Sequence, residues 1–286
     1  MLGCRSPPSL YSSGYESDCS LERAVADPGL FSLRVFVGGF PKGTSESLIR
    51  ANYSQYDIDR VDWPHKSASS YKDTPNGFAF LEFHGEGDVV NFLADCNVIG
   101  GRTYSVFMTQ TQQKLFVEVK PYRLSDARYG HYSYSPTANQ RKVFLGGLPR
   151  ETTAREVHDV MVKFGEVKEV IIDLLPATKY PRGTACVVFD TVTGRDNAVR
   201  NRVVLLKHPT TGARRLIEVK PFLLSQQRCE VCGKMTAPVS CYNKCCMKVT
   251  CYTCYDVVHQ YLPPFGHKRI FRGSYYTPYD ARNVRF

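Results

Sequence analysis

Short segments of strand character recur along the chain, and two of them occur twice in the same order. Residues 35–41 (VFVGGFP) reappear as 143–149 (VFLGGLP), and residues 117–122 (VEVKPY) reappear as 217–222 (IEVKPF). Apolar side chains at alternate positions are typical of β-strands that bury one face. The repeated opening and closing strands therefore predict two copies of one domain, over residues 31–125 and 141–224.

Each copy also contains two segments of helical spacing and two further strands. In the first copy, Thr44 and Ser45 cap a helix, residues 78–83 form a strand rich in aromatics, and Asp88 starts a second helix. The second copy repeats this pattern, with a capping Thr152 or Thr153, strands at 167–174 and 184–189, and a helix at 196–204. The order βαββαβ predicts an α+β fold: a four-stranded antiparallel sheet with both helices on one face and the other face open.

The segments outside the two copies have a different composition. Residues 1–30 are rich in Ser, Gly, Pro and Tyr without an apolar period, which predicts a disordered tail. Residues 126–140 are rich in turn formers and predict a linker. Clustered cysteines define a C-terminal module over residues 225–275, and residues 276–286 are predicted to be a second tail.

Charge and hydropathy narrow the class of protein. The formal net charge of +10 favours a polyanionic partner such as nucleic acid. No apolar run approaches the ~18 residues that a membrane-spanning helix needs, and no secretory signal begins the sequence. We therefore expect an intracellular, cytoplasmic protein without a membrane partner, in which clustered cysteines hold metal. Shuttling to the nucleus stays open.

The aromatic strand of the first copy indicates what the open face binds. Residues 76–83 (NGFAFLEF) follow the longer RNA recognition motif (RRM) signature, with Asn76 in place of Lys or Arg. Alternation sends Phe78 and Phe80 outward together with Phe36, while the other side chains fill the core. Stacking of a base on an aromatic ring stabilises the complex by roughly 1–3 kcal/mol, and only unpaired bases reach such a surface. This arrangement predicts binding of single-stranded RNA.

The second copy lacks two of these aromatics. Thr184 and Cys186 stand in their places, which leaves Phe144 alone on the face, although Arg182 supplies a cation. We expect a weaker RNA surface beside the first domain, with a protein-binding domain as the alternative. The residues predicted to contact RNA are Phe36, Trp63, Phe78, Phe80 and Lys120 in the first copy and Lys142, Phe144, Lys179, Arg182 and Lys220 in the second.

The C-terminal module carries cysteines and histidines at metal-ligand spacing. Eight side chains complete two tetrahedral zinc sites: Cys229, Cys232, Cys241, Cys246, Cys251, Cys254, His259 and His267. No open coordination position is evident, so both ions are expected to be structural. Spacing alone does not say which ligands share an ion. The similar Cys-x2-Cys units favour an interleaved, cross-braced pairing in which 229, 232, 251 and 254 hold one ion.

Several local motifs make the chain similar to one known family, the cytoplasmic polyadenylation element-binding (CPEB) proteins, over about residues 31–275. They are residues 35–39 (VFVGG), 62–64 (DWP) before an insertion, 179–181 (KYP) ahead of Gly183, 220–222 (KPF) leading to Cys229, and the cysteine rhythm from Cys241. The resemblance implies two closely spaced RRMs followed by a ZZ-type zinc module. It also implies binding of U-rich elements in mRNA 3′ untranslated regions and control of poly(A) length and translation.

The resemblance further implies that the first RRM reads most of the bases, and that the zinc module contacts translation or polyadenylation regulatory proteins. Two other interpretations stay open. One is a nuclear RNA-processing factor with the same domains. The other is a ubiquitin ligase with a RING-like module, which the terminal His259 and His267 and the lack of a Cys-x-His unit disfavour. No nucleophile–base or paired-carboxylate arrangement is evident, so we expect a protein that is not an enzyme.

Overall fold

The computed structural model describes residues 31–64, 75–131, 138–207, 212–241, 243, 245–246, 248–262 and 267–272. The predicted tails at 1–30 and 276–286 lie outside these residues. Three units follow one another along the chain: two α+β domains and a small module rich in cysteine. Within the described residues, no helix is long and apolar enough to cross a membrane.

The first domain has the predicted βαββαβ order with one addition. Its elements are β1 (Arg34–Gly38), α1 (Glu46–Asn52), β2 (Ile58–Asp62), β3 (Phe78–Phe83), α2 (Glu86–Ala94), β4 (Asn97–Ile99), β5 (Arg102–Met108) and β6 (Lys114–Lys120). They form an antiparallel sheet of six strands, in the order β2-β3-β1-β6-β5-β4. The sheet therefore has two more strands than the four that were predicted.

The additional strands arise from a tight hairpin between β4 and β5. Gly100 and Gly101 both have positive φ, at 58° and 76°, and Ile99 pairs directly with Arg102 across them. A two-residue turn of this kind matches the twist of the flanking strands, and glycine adopts it without a steric penalty. The hairpin widens the sheet beyond β6.

Helix starts follow their capping residues, and two of them differ from the prediction. Ser45 caps α1 by accepting a hydrogen bond from the Leu48 N–H (3.2 Å). In α3 (Ala154–Met161), Thr153 and Glu156 form a reciprocal capping box, so Thr153 is the cap. Helix α2 begins at Glu86, before the predicted Asp88, and α4 (Val192–Asn201) begins four residues earlier than predicted because the side chain of Thr191 caps it.

The core of the first domain confirms the predicted alternation along β1 and β3. Val35, Val37, Ala79 and Leu81 are fully buried, whereas the intervening aromatic side chains are only half-buried. The helices cover this apolar side of the sheet through residues such as Ile49, Val89 and Phe92. Among the described residues, no helix covers the opposite side of the sheet.

The second domain repeats the fold with its own extra strands. Its elements are β8 (Lys142–Gly146), α3, β9 (Val167–Leu174), β10 (Pro181–Phe189), α4, β11 (Val203–Lys207) and β12 (Arg214–Pro221). The five strands of this list and β7 (Arg128–Gly130) form a six-stranded sheet in the order β11-β12-β8-β10-β9-β7. Strand β10 begins at Pro181, three residues before the predicted start of that strand.

The segment predicted to be a linker is structured over its described first part. A 3-10 turn at Leu124–Ala127 buries Leu124 and Ala127 in the core of the second domain, and β7 then pairs with β9. The Arg128 Nε donates a hydrogen bond to the Glu169 carboxylate (2.6 Å). Glycine is needed at 130, where φ is +82° and a Cβ would collide with the Lys168 carbonyl oxygen. Residues 132–137 of the predicted linker lie outside the described residues.

The C-terminal module consists of short strands and one helix. They are β13 (Gln227–Arg228), β14 (Met235–Thr236), β15 (Val239–Cys241), β16 (Val249–Thr250), α5 (Tyr252–His259) and β17 (Arg269–Ile270). Its apolar clusters are small: Leu223, just after β12, packs with Val249 and Ile270. So little buried apolar area cannot by itself hold a fold together, which is the condition under which small domains rely on metal.

Candidate nucleic-acid interface and zinc module

Three aromatic rings lie together on the open face of the first domain, as predicted. The Phe36 ring stacks on Phe78 with centroids 5.4 Å apart and meets Phe80 edge-on at 5.8 Å. Strand register explains the grouping, because Phe36 lies opposite Phe80 and Gly38 lies opposite Phe78. A Cβ at Gly38 would come within 2.8 Å of the Phe36 ring, so glycine leaves space for that ring to lie toward Phe78. We call these three residues the aromatic platform.

Arg34 is part of the same face and was not among the predicted residues. Its guanidinium lies over the Phe80 ring, 4.3 Å from the centroid, in cation–π geometry. Ion pairs to Asp62 (2.7 Å) and Glu82 (2.5 Å) hold it there. The signal was available in the sequence, because Arg34 precedes Phe36 by two positions in the same strand and must share its face.

A loop of the second domain reaches one end of the aromatic platform. Tyr180 packs edge-on against Phe80, at 5.6 Å between centroids, and against Tyr122 at 6.3 Å. Nearby, the Leu33 N–H and the Ser32 hydroxyl both donate hydrogen bonds to the Thr178 carbonyl (2.9 Å each). Burial raises the pKa of Tyr180 to about 12. The loop between β9 and β10 therefore docks the two domains against each other.

A basic cleft lies where the two domains meet. It has a volume of about 680 Å³, and its lining includes Lys120 of the first domain and the β8–α3 loop of the second. The cationic side chains around it outnumber the acidic pair Glu151 and Glu156. These cations are Lys120, Arg150, Arg182, Lys207 and Arg215. Arg150, Lys207 and Arg215 were not predicted, since they belong to loops and strand ends whose position depends on the tertiary fold.

The side chains on the corresponding sheet face of the second domain are less exposed than those of the aromatic platform. Phe144 is half-buried opposite Cys186, which is 9% exposed, and Thr184 donates a hydrogen bond to Asp173 (3.0 Å). Lys142 approaches the ring of Phe222 at 5.4 Å, so a second aromatic accompanies Phe144. Phe222 was missed, although its position matches Tyr122 in the internal repeat.

Two predicted RNA-binding residues are buried. Trp63 is 6% exposed and packs in the first domain's core, because it follows β2 on the side that faces the helices. Lys220 is 5% exposed, with its Nζ 2.7 Å from the Glu218 carboxylate. Both side chains therefore offer little surface to a ligand, which counts against the predicted RNA contacts of Trp63 and Lys220. Lys179 occupies a left-handed turn position (φ 55°) beside Tyr180.

The exposed predicted cations lie at the edges of the interface. Lys120 is on the platform's face, with its Nζ 5.6 Å from the Phe36 centroid and 3.6 Å from the Glu118 carboxylate. The exposed Arg182 reaches Asp173 at 3.7 Å. Both side chains therefore present positive charge toward the cleft between the domains.

The first zinc site combines the two Cys-x2-Cys units. The sulfur atoms of Cys229, Cys232, Cys251 and Cys254 all lie within 4.8 Å of one another. Burial raises the pKa of Cys229, but N–H groups of Cys232, Cys251 and Val231 donate to its sulfur and lower the pKa to about 6. The hydrogen bond that the Cys254 thiol donates to the Cys251 sulfur raises the pKa of Cys254, so four thiolates coexist only around a cation. The donor set fits tetrahedral Zn²⁺.

The second zinc site uses the remaining predicted ligands. Ligand atoms of Cys241, Cys246, His259 and His267 lie within 4.8 Å of one another. His259 Nδ1–H donates to the Tyr255 carbonyl (2.7 Å), and its Nε2 is buried without a hydrogen-bond partner among the described residues. An outer hydrogen bond of this kind orients a histidine that binds metal through its other nitrogen. The interleaved pairing and the two structural zinc ions expected from the sequence are confirmed.

Comparisons with known protein families agree with this division of the chain. Residues 32–121 match a family model described as an RNA recognition motif, and residues 143–207 match another with the same description. Residues 215–273 match the ZZ domain of cytoplasmic polyadenylation element-binding proteins. The predicted α+β fold, with two RRM domains and a ZZ-type module, is thereby confirmed.

Curated relatives resemble most of the chain. Translational regulator orb2 of Drosophila melanogaster is 34% identical over 235 residues, which is 80% of this chain and 33% of that protein. Cytoplasmic polyadenylation element-binding protein 1 of Caenorhabditis japonica is 30% identical over 261 residues, covering 85% and 42%. The chain thus spans less than half the length of these relatives. The resemblance to the cytoplasmic polyadenylation element-binding family is confirmed: the chain carries two RNA recognition motifs followed by that family's ZZ domain.

Proposed function

We propose that the chain binds single-stranded, U-rich elements in mRNA 3′ untranslated regions and thereby regulates translation and polyadenylation. The aromatic platform is the observation on which the proposal rests. Phe36, Phe78 and Phe80 form a half-exposed surface that no helix of the described part of the chain covers, and Lys120 lies beside it. Unpaired bases stack on such rings, whereas paired bases in a duplex are not accessible to them.

The docking of the two domains supports a shared path for one RNA strand. The platform of the first domain adjoins the basic cleft, and Arg150, Arg182 and Lys207 of the second domain line that cleft. The phosphates of the nucleotides next to the stacked bases would then lie near these cations. Their electrostatic attraction favours binding of the RNA backbone. The first domain then supplies the stacking surface and the second mainly supplies charge, in keeping with its reduced aromatic content.

The proposed U-rich preference and regulatory role rest on the resemblance to the family. Relatives are named as a translational regulator and as a cytoplasmic polyadenylation element-binding protein. We propose that the zinc module contacts translation or polyadenylation regulatory proteins, that the chain acts in the cytoplasm and that it is not an enzyme. The RRM matches agree with a binding role.

Binding measurements with matched RNAs test the proposal. Fluorescence anisotropy would compare U-rich, A-rich and scrambled single strands of equal length with a U-rich duplex at near-physiological salt, because charge alone binds any nucleic acid. We expect at least about tenfold tighter binding of the U-rich single strand, or about 1.4 kcal/mol. Equal affinity for all four ligands would refute selective binding and leave only electrostatic attraction.

A further inference from the structure

The open face of the first domain continues past the aromatic platform into a second exposed apolar surface. Phe116 on β6 is 60% exposed, and Val106 and Met108 on β5 are 41% and 36% exposed. Phe116 lies directly opposite Val106, and Tyr104 is half-buried next to them. We call Tyr104, Val106, Met108 and Phe116 the hairpin patch. Large apolar side chains grouped on a surface in this way mark binding sites.

Strand register places the hairpin patch on the same face as the platform. Phe36 lies opposite Lys120, whose ammonium approaches the Phe36 ring, so both side chains point to the open face. Glu118 and Phe116 follow at intervals of two along β6 and share that face, while Val117 and Val119 between them are buried. Phe116 therefore lies about 13 Å along the strand from Lys120, on one continuous surface.

Cations surround the hairpin patch. Lys114 pairs across the sheet with Met108, and Arg102 and Lys120 flank Glu118 at 3.9 Å and 3.6 Å from its carboxylate. The one acidic side chain among these neighbours is thus countered by two basic ones. An aromatic ring with apolar neighbours and a basic border is suited to a base and its phosphates, because the ring stacks and the cations offset the backbone charge.

We propose that the hairpin patch is an additional nucleotide subsite, where Phe116 stacks a base of the same RNA strand that occupies the aromatic platform. This inference rests on the proposed RNA binding and extends it to β5, one of the two strands that exceed the four of the basic fold. The sheet face is continuous from the aromatic platform to the hairpin patch, so the expected occupant is the same RNA strand. A strand leaving Phe36 over Lys120 reaches Phe116 without crossing a helix or a domain boundary.

RNA length provides the test. Affinities of the full chain and of Phe116→Ala would be measured for a U-rich RNA of about 4 nucleotides and for RNAs extended to about 10 nucleotides at either the 5′ or the 3′ end. We expect Phe116→Ala to weaken binding of one extended RNA by about 5- to 150-fold, the equivalent of one stacked base. Binding of the short RNA should not change. Only one extension should respond, because the patch lies at one side of the platform.

Two matched variants serve as controls. Phe116→Tyr keeps a stacking ring and should bind every RNA like the parent chain. Val98→Ala removes an apolar side chain that is 73% exposed on the same hairpin, but Val98 pairs with Thr103 and faces the opposite side of the sheet. It should leave all affinities unchanged.

The outcomes separate this inference from the proposed function. If Phe36→Ala weakens RNA binding while Phe116→Ala affects neither extension, the subsite is refuted and the platform stands. If Phe36→Ala also has no effect, both proposals fail. An equal loss of affinity for the short and the extended RNAs would show that Phe116 does not form a separate subsite, and would also refute the inference. A change in sedimentation of Phe116→Ala without a change in affinity would assign the patch to contact with a second copy.

Discussion

The ring of Tyr180 in the second domain packs edge-on against Phe80 in the first, with centroids 5.6 Å apart. One aromatic residue therefore belongs both to the candidate RNA surface and to the contact between domains. Arg34 lies over the same Phe80 ring and within 5.8 Å of the Tyr180 centroid. Any ligand that displaces Arg34 or moves Phe80 will also act on the orientation of the two domains.

Removal of the Tyr180 ring should loosen the contact between domains. Tyr180→Ala deletes a side chain that is 8% exposed and packs against Phe80 and Tyr122, so we expect a loss of about 3 kcal/mol in the free energy of unfolding. Chemical denaturation measures this loss, and small-angle scattering should show a larger radius of gyration. Tyr180→Phe retains the ring and should behave like the parent chain. A Tyr180→Ala protein with unchanged stability and dimensions would show that the contact does not hold the domains.

Truncation of the platform should weaken RNA binding without unfolding the domain. Phe36→Ala removes the ring that contacts both Phe78 and Phe80, and the loss of one stacked base amounts to roughly 1–3 kcal/mol of binding free energy. Anisotropy with a U-rich strand measures the change, and a melting curve tests the fold. Normal melting together with unchanged affinity would disprove the stacking role.

The chain should bind two zinc ions, and adjacent cysteines should differ in their contribution. Cys246 belongs to a four-ligand site, whereas its neighbour Cys245 is exposed and belongs to neither cluster. Elemental analysis should therefore find two ions per chain for the parent and for Cys245→Ser, and one for Cys246→Ser. Two ions retained in Cys246→Ser would refute the ligand assignment.

Chelation should unfold the zinc module and leave the RRM cores intact. The module has only small apolar clusters, so metal binding supplies most of its folding free energy. Two-dimensional NMR spectra recorded before and after addition of a chelator would show which amide signals collapse. Loss of dispersion throughout the first domain would contradict this expectation, because both four-ligand clusters found among the described residues lie in the zinc module.

Glycine at position 130 should be required for the β7–β9 pairing. Gly130→Ala would force a Cβ toward the Lys168 carbonyl at φ +82°, and we expect a loss of about 1–3 kcal/mol. Gly87→Ala is the matched control, because Gly87 lies within α2 and an added Cβ would meet nothing within 4 Å. Alanine is the better helix former, so that change should stabilise by up to about 1 kcal/mol. Denaturant unfolding of both variants would measure these changes in stability. Unchanged stability of Gly130→Ala would show that the β7–β9 pairing does not require glycine at this position.

The predicted repeat identified both domains because local pattern and tertiary structure agree there. Strand β3 was predicted at its observed bounds, and the alternation that buries Val35 and Leu81 sends Phe36 and Phe80 to the open face. The zinc ligands were predictable in the same way, because cysteine and histidine side chains clustered at this spacing are typical of zinc sites. Local chemistry was sufficient in both cases.

Only the tertiary structure decided which surface residues are free to bind. Trp63 and Lys220 have the residue types of RNA contacts, but one is packed in a core and the other is buried beside Glu218. Tyr180 and Arg34 meet over Phe80 although they are distant in sequence. Strand periodicity fixes the face of a side chain within its own strand. Accessibility and contacts between domains depend on segments far apart along the chain, and no local pattern encodes them.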